Sequence, residues 1–409
     1  MNGLISVEEA LARVLASAEA PLGEESIALE EAYGRVLARD LLALRTQPPF
    51  PNSAMDGYAL RAADTDGPPG SLRVIGEAAA GRAFDGALRS GETVRIFTGA
   101  PMPGSADAVV VQEDVRRDGD RVTLTGPVPL GDNVRPKGLD FVEGETLAPA
   151  GRRLTARDVA LAAAANHVEL PVRRQPRVAI VATGDELVTP GKTPGPSQIV
   201  ASNNFTVAGI VEACGGIPID LGIARDTMAE LSAAIHEALD AKVDVLVTLG
   251  GASVGDHDLV QKALVAAGME LGFWRIAMRP GKPLMHGRLG GLRVLGLPGN
   301  PTSSTVCAIL FLVPLLRALN GKSNPGADPT QPARLAVAVK ANGVRQDYMR
   351  CTLARDTDGV LHATPVELQD SSLVKVMARA DGLIVRPPHA EAAPAGEPCR
   401  VIAFDGLGV

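Results

Sequence analysis

A chain of 409 residues, 46% of them hydrophobic, has material for several cores, and its length supports two to four domains. The net charge of −7 comes from acidic and basic residues that are interspersed, which excludes a basic face for nucleic acid or an anionic membrane and leaves a small charged metabolite as the natural partner. Cys214, Cys307, Cys351 and Cys399 show neither CxxC nor Cys/His spacing, which argues against a disulfide framework or a structural zinc site and fits a reducing cytoplasm.

The opening MNGLISVEEALARVL has no cationic segment ahead of an apolar run, so neither a signal nor a transit peptide is expected. Ser6 and Glu9 form a capping box, and Val7, Leu11, Val14 and Leu15 recur at helical spacing, predicting an amphipathic first helix. Turn formers in QPPFPNSAMDGYAL end that element, and short Val/Ile/Thr runs from Ser71 to about Leu147 predict a small β domain. A second helix follows Thr155, short and apolar on one side, and is expected to pack back against the first.

After Arg177 strands and helices alternate, as in RVAIVATGDEL, NNFTVAGIVEACGG and VDVLVTLGG, which predicts a parallel α/β sheet. VLGLPGNP supplies a further strand, and an apolar helix over 302–319 closes the unit. Its apolar run, Val306 to Leu316, contains Pro314 and is too short to span a bilayer, so it is expected to be a buried core helix. The linker NGKSNPGADPTQP leads to a second small β barrel or sheet from Ala333 onward. The expected boundaries are 1–50 with 140–175 for a helical linking domain, 51–139 for the first β domain, 176–322 for the α/β domain and 331–409 for the last.

Ligands of open parallel sheets bind outside the carboxyl ends of the strands. Those ends carry Thr183, Gly184, Asp185 and Glu186, then Asp226, then Gly250, Gly251, Ser253, Gly255, Asp256 and Asp258, and finally Pro298, Gly299, Asn300 and Pro301. Singly, such residues are ordinary turn formers, but four loops on one edge are harder to explain that way. The GGASVG loop offers backbone amides and the Ser253 hydroxyl to a phosphate, although it is neither a P-loop nor a dinucleotide fingerprint. At an effective dielectric near 20, a carboxylate about 4 Å from a phosphate charge repels it by roughly 4 kcal/mol, so the surrounding acids imply a divalent cation. Mg²⁺ held by Glu186, Asp226 and Asp258 is the expectation. Asp226 also fits a plain cap, standing before Thr227 and Glu230. Arg275, Arg279 and Lys282, on a strand and a Pro-Gly turn, read as hooks for a second anion, and two anions brought together suggest a transferase or hydrolase. No Ser/His/Asp or Cys/His set is evident, and His236, mid-helix, reads as solvated.

The motifs SAMDGYA (Ser53 to Ala59), IFTGAPMP (Ile96 to Pro103), ATGDEL (Ala182 to Leu187), GGASVGDHD (Gly250 to Asp258), RPGKP (Arg279 to Pro283) and LPGNP (Leu297 to Pro301) together resemble the MoeA-type molybdopterin molybdenumtransferases and the gephyrin E domain. The resemblance covers nearly the whole chain. It implies a central MogA-like molybdopterin-binding α/β domain, two small β domains and a helical linking domain. It also implies a homodimer whose cleft is shared between one subunit's α/β domain and its mate's small β domain. Molybdopterin-AMP and molybdate would be the substrates, Mg²⁺ the cofactor, and other cofactor-biosynthesis proteins and apo-molybdoenzymes the further partners. By motif matching, Asp56, Thr98, Asp140, Glu186, Asp226 and Asp258 would be the active-site polar groups, with Arg350 and Ser371 added from the C-terminal domain. Arg275 and Arg279 stand where many relatives have lysine, which exchanges a point charge for a planar fork. GDHD departs from the more common GExD at Asp256. Two rival readings remain open at this stage: the related adenylyltransferase, and a non-catalytic scaffold.

Overall fold

The structure is a computed structural model that describes residues 4–67, 70–251, 259–405 and 407. It opens with α1 (Val7–Ala16), where the Ser6 hydroxyl accepts from the Glu9 amide at 3.0 Å. The Glu9 carboxylate turns to Arg13 instead of completing the box. α2 (Ala156–Ala164) has the full box, with Thr155 and Asp158 bonded reciprocally.

The two helices do not pack together as expected. Ala10 and Val14 of α1 join Ala18 and Leu22 in the core of the α/β unit. Small side chains on that face permit close approach, and Arg293 donates to the carbonyls of Ser17 (3.0 Å) and Ala18 (3.2 Å), just past the helix end. α2 instead contributes Ala162 to a separate core with Ala32, Leu37, Leu41, Leu154, Leu170 and Val172. Antiparallel pairing of Glu24–Ala28 with Glu169–Arg173, and of Leu41–Leu42 with Thr146–Ala148, zips the segments on either side of the first β sheet together.

That sheet has six strands, in the order Ala108–Val111, Gly57–Leu60, Glu92–Ile96, Ser71–Ala78, Arg121–Leu124 and Val115–Asp118. Its two apolar faces build separate clusters, one around Tyr58, Leu60 and Val110 and one around Ala59, Val94 and Ile96. At Gly57 the neighbouring strand comes so close that a Cβ would collide with the Val110 carbonyl.

The α/β sheet comprises β1 (Arg177–Thr183), β2 (Ile217–Ala224), β3 (Val245–Leu249), β4 (Glu270–Trp274), β5 (Met285–Leu289) and β6 (Leu292–Leu297), in spatial order β2-β1-β3-β6-β5-β4. β2, β1, β3 and β6 run parallel, β5 runs antiparallel to them, and β4, antiparallel to β5, runs in their direction at the edge. The sheet is therefore mixed, because Gly290 and Gly291 form a tight hairpin, Gly290 at φ 59°, that returns the chain beside itself. α3 (Asn203–Ala213), α4 (Met228–Asp240) and α5 (Leu259–Ala266) cover the faces. α6 (Pro301–Leu319), which includes a π-helical stretch at Ala308–Leu312, is the one helix among the described residues long and apolar enough to cross a membrane. It is 89% buried, packed in the core with α1 and α3.

The C-terminal strands Gln346–Arg355, Leu361–Pro365, Gln331–Leu335, Pro398–Ala403 and Gly382–Arg386 pair in sequence, and the last pairs back to the first. This closes a five-stranded barrel. Its long strand also pairs in parallel with Met278–Arg279, which ties the barrel to the α/β unit.

Candidate functional site

The strand ends of the α/β sheet are laced into one edge. The Gly184 amide donates to the Ala224 carbonyl at the end of β2 (3.2 Å), and the Gly250 amide to the Leu297 carbonyl at the end of β6 (3.1 Å). Thr183 is buried, its hydroxyl 3.4 Å from the Leu249 carbonyl. A Cβ on Gly250, at φ 104°, would stand 2.7 Å from the Thr183 carbonyl oxygen, and one on Gly299 would stand 3.5 Å from Gly250 Cα. At Gly250 only glycine allows this approach, whereas the Gly299 contact is an ordinary one. Asn203, at the start of α3, donates to the Gly299 carbonyl at 2.7 Å.

On this edge Asp185, Glu186 and Asp226 come together. The Asp226 amide donates to Asp185 Oδ1 at 3.3 Å, and the Glu186 carboxylate folds back over Gly184. Partial burial, and then the neighbouring charges of Asp185 and Glu186, push the Asp226 carboxyl above its ordinary value although its side chain is largely exposed. The capping expectation also holds in part: Thr227 accepts from the Glu230 amide at 3.3 Å, and Asp226 lies one residue before that cap. Among the described residues no group of three His, Cys, Asp or Glu is arranged to hold a metal. Ser253, Gly255, Asp256 and Asp258 lie outside the described residues.

The LPGNP turn adjoins this edge and meets the C-terminal barrel. Pro298 is buried, and Pro301 begins α6 after the N-cap Asn300. Asn300 donates to the Ser371 hydroxyl (3.0 Å), and the Thr302 amide to the Ser371 carbonyl (3.0 Å). Arg275 has a positive φ of 85°, and its guanidinium lies 4.4 Å from the centre of the Trp274 ring, so Trp274 packs on a cation. Its Nε is buried without a partner. Lys282 is half-buried. Arg279 forms an ion pair with Asp347, which holds its guanidinium pKa up. Arg350 is 1% exposed, its Nε is unpartnered, and burial pulls its pKa down while Asp370 and Asp347 oppose that.

The remaining expected residues sit on the first β sheet and its flank. Asp56 Oδ1 accepts from both the Thr98 amide and the Thr98 hydroxyl, each at 2.8 Å, and these two bonds hold its carboxyl below the usual range. Asp140 lines an open cleft of about 390 Å³ with Asn52, Gly99, Arg135 and the Pro48–Phe50 turn. Among the described residues no hydrogen bond joins the side chains of this group to those of the α/β edge. Asn203, Asp347, Asn52 and Arg135 went unnoticed in the sequence. The only signal for Asn203 was an amide at a helix start following a strand-end loop.

An α/β unit whose strand-end edge carries glycine loops and acids, flanked by two β units, makes this a multidomain α/β plus β protein. The family models agree: MoeA N-terminal region (domain I and II) matches residues 5–166, a probable molybdopterin binding domain matches 179–318, and MoeA C-terminal region (domain IV) matches 332–404. The molybdopterin molybdenumtransferase of Haemophilus influenzae is 33% identical over 99% of this chain and 100% of its own length. That of Nostoc is 38% identical over 80% of this chain and 76% of its own. Among solved structures, a molybdopterin biosynthesis MoeA protein from Pyrococcus horikosii superposes with a TM-score of 0.85 at 35% identity, covering 98% of this chain and 99% of that one. The chain belongs to the molybdopterin molybdenumtransferase family, transferases of molybdenum cofactor biosynthesis.

Proposed function

We propose that the chain transfers molybdenum from molybdate to the dithiolene sulfurs of adenylylated molybdopterin and releases AMP. The observation that carries this reading is the acid cluster at the strand ends: Asp185, Glu186 and Asp226 crowd one another beside glycine loops, and partial burial together with the neighbouring charges raises the Asp226 carboxyl. An edge of that kind repels phosphate unless a cation neutralises it.

The donors fit Mg²⁺ in kind, being hard carboxylate oxygens, and Glu186 and Asp226 would hold it together with Asp258. When bound, Mg²⁺ supplies positive charge to the substrate's phosphoanhydride. The chain's own residues do the rest. Gly251, Ser253 and Gly255 would offer donors to the phosphates, while Thr183, Gly184 and Gly250, whose own donors are bonded within the edge, shape the loops that carry them. Pro298 and Pro301 stiffen the turn beside them. Arg275, Arg279 and Lys282 bind molybdate, with Arg350 and Ser371 behind them. The two dithiolene thiols bind molybdenum as one molybdate oxygen leaves as water with their protons, and a water molecule attacks the pterin-side phosphorus, breaking the phosphoanhydride with AMP as leaving group.

In this reading Asp56, Thr98 and Asp140 act from the partner subunit of a homodimer. Exposed apolar side chains in the linking segments, Leu42, Leu44, Phe50, Leu139 and Val142, favour a second copy over solvent. Four free cysteines favour the cytoplasm. The product passes to apo-molybdoenzymes, and an adenylylating enzyme supplies the substrate. The test is AMP release from molybdopterin-AMP by purified protein with Mg²⁺, with and without molybdate. Release that requires molybdate is expected, and tight substrate binding without release would refute the transferase.

A further inference from the structure

Asp347 lies in no recognised motif, yet its carboxylate meets one of the anion hooks. We infer that Asp347 is a positioning residue of the oxyanion subsite, fixing the Arg279 guanidinium in the orientation that receives molybdate. The inference rests on the assignment of Arg275, Arg279 and Lys282 to that anion.

Three observations carry it. Parallel pairing sets Arg279 directly opposite Asp347, so the backbone alone brings the two side chains together. The carboxylate is only 9% exposed, whereas the arginine side chain is 59% exposed, so a fixed, buried partner grips a long side chain that would otherwise sample many rotamers. A guanidinium has five N–H donors, and one held by Asp347 leaves the others free for a second anion. Asp347 also acts on Arg350, whose charge is buried without a full set of partners. A simple clasp between barrel and α/β unit does not need this charge. The Gln346 amide already donates to the Ala277 carbonyl at 2.9 Å, and Ser371 bonds both Asn300 and Thr302.

The test is steady-state AMP release at varied molybdate with Asp347→Asn, Asp347→Glu, Arg279→Gln and the double variant Arg279→Gln/Asp347→Asn, with thermal melting as the fold control. Asp347→Asn is expected to raise the molybdate KM about tenfold with the KM for molybdopterin-AMP unchanged, the loss of one pre-set side-chain orientation. Asp347→Glu should recover part of it, and in the Arg279→Gln background Asp347→Asn should add nothing further. An unchanged molybdate KM in Asp347→Asn beside a raised one in Arg279→Gln would overturn the inference alone, as would effects that multiply in the double variant. An unchanged KM in Arg279→Gln would overturn the oxyanion assignment and the inference with it.

Discussion

Asp56 on the first β sheet and Asp226 at the α/β edge are both carboxylates, and their surroundings act on them in opposite senses. Two Thr98 donors converge on Oδ1 of Asp56 and hold its carboxyl below the usual range. The Asp226 amide donates to Asp185 Oδ1, and the Asp226 carboxyl is pushed toward protonation by burial and by the charges of Asp185 and Glu186, against a backbone hydrogen bond from Asp185. On the proposed function the first would orient a group on a ligand, and the uncompensated charge of the second is what Mg²⁺ would neutralise. On that reading the contrast gives them different tasks.

The largest expected effect separates those tasks by chemistry. Glu186→Ala or Asp226→Ala should lower molybdate-dependent AMP release about 100-fold or more while substrate still binds, because charge stabilisation at the reacting phosphate is lost. Next comes Thr98→Val, which deletes one of the two donors to Asp56 but keeps the amide. Turnover should fall about tenfold, and the acid limb of the pH–rate profile should move to higher pH as the Asp56 carboxyl returns toward its ordinary value.

A backbone lesion probes the first sheet more mildly. Gly57→Ala forces a Cβ into the Val110 carbonyl and should cost about 1–3 kcal/mol by chemical denaturation, with Asp56 displaced along with its strand. The smallest effect has the most specific sign. A raised carboxyl contributes stability below its unfolded pKa and loses it as pH rises through the folded value. Asp226→Asn should therefore melt about 1–2 °C higher than the parent at neutral pH without metal, the gap closing as pH falls below the carboxylate range. Stabilisation of the parent by added Mg²⁺ should shrink in the variant, and an equal response in both proteins would break the contrast with Asp56.

Much of the scaffold was legible in local pattern, because caps and strand periods depend on neighbours in sequence. Thr155 marks a helix start by its own chemistry, and the GGASVG and LPGNP segments follow apolar strands whose direction decides which edge they reach. What was not legible depends on pairing between distant segments. The hairpin at Gly290 and Gly291 turns β5 antiparallel, and the pair RLGGLRV resembles any glycine turn until both strands are seen. The short second helix, apolar on one side, gives no sign that its partner is not α1, because the Arg293 contacts that dock α1 come from far along the chain. Asp347 meets Arg279 across 68 residues, through a strand pair only two residues long. Nothing in either local sequence marks that partnership.

The central claim is that the Asp56 cluster and the Asp226 cluster work as one site across two subunits. Subunit complementation tests it: Asp56→Asn and Glu186→Ala proteins, each inactive as a homodimer, are mixed under conditions of subunit exchange and assayed for molybdate-dependent AMP release. A shared site gives each mixed dimer one intact site and one doubly altered site, so activity should return to about a quarter of the parent's. A mixture that exchanges subunits and stays inactive would place both clusters in the same chain's site and contradict the account.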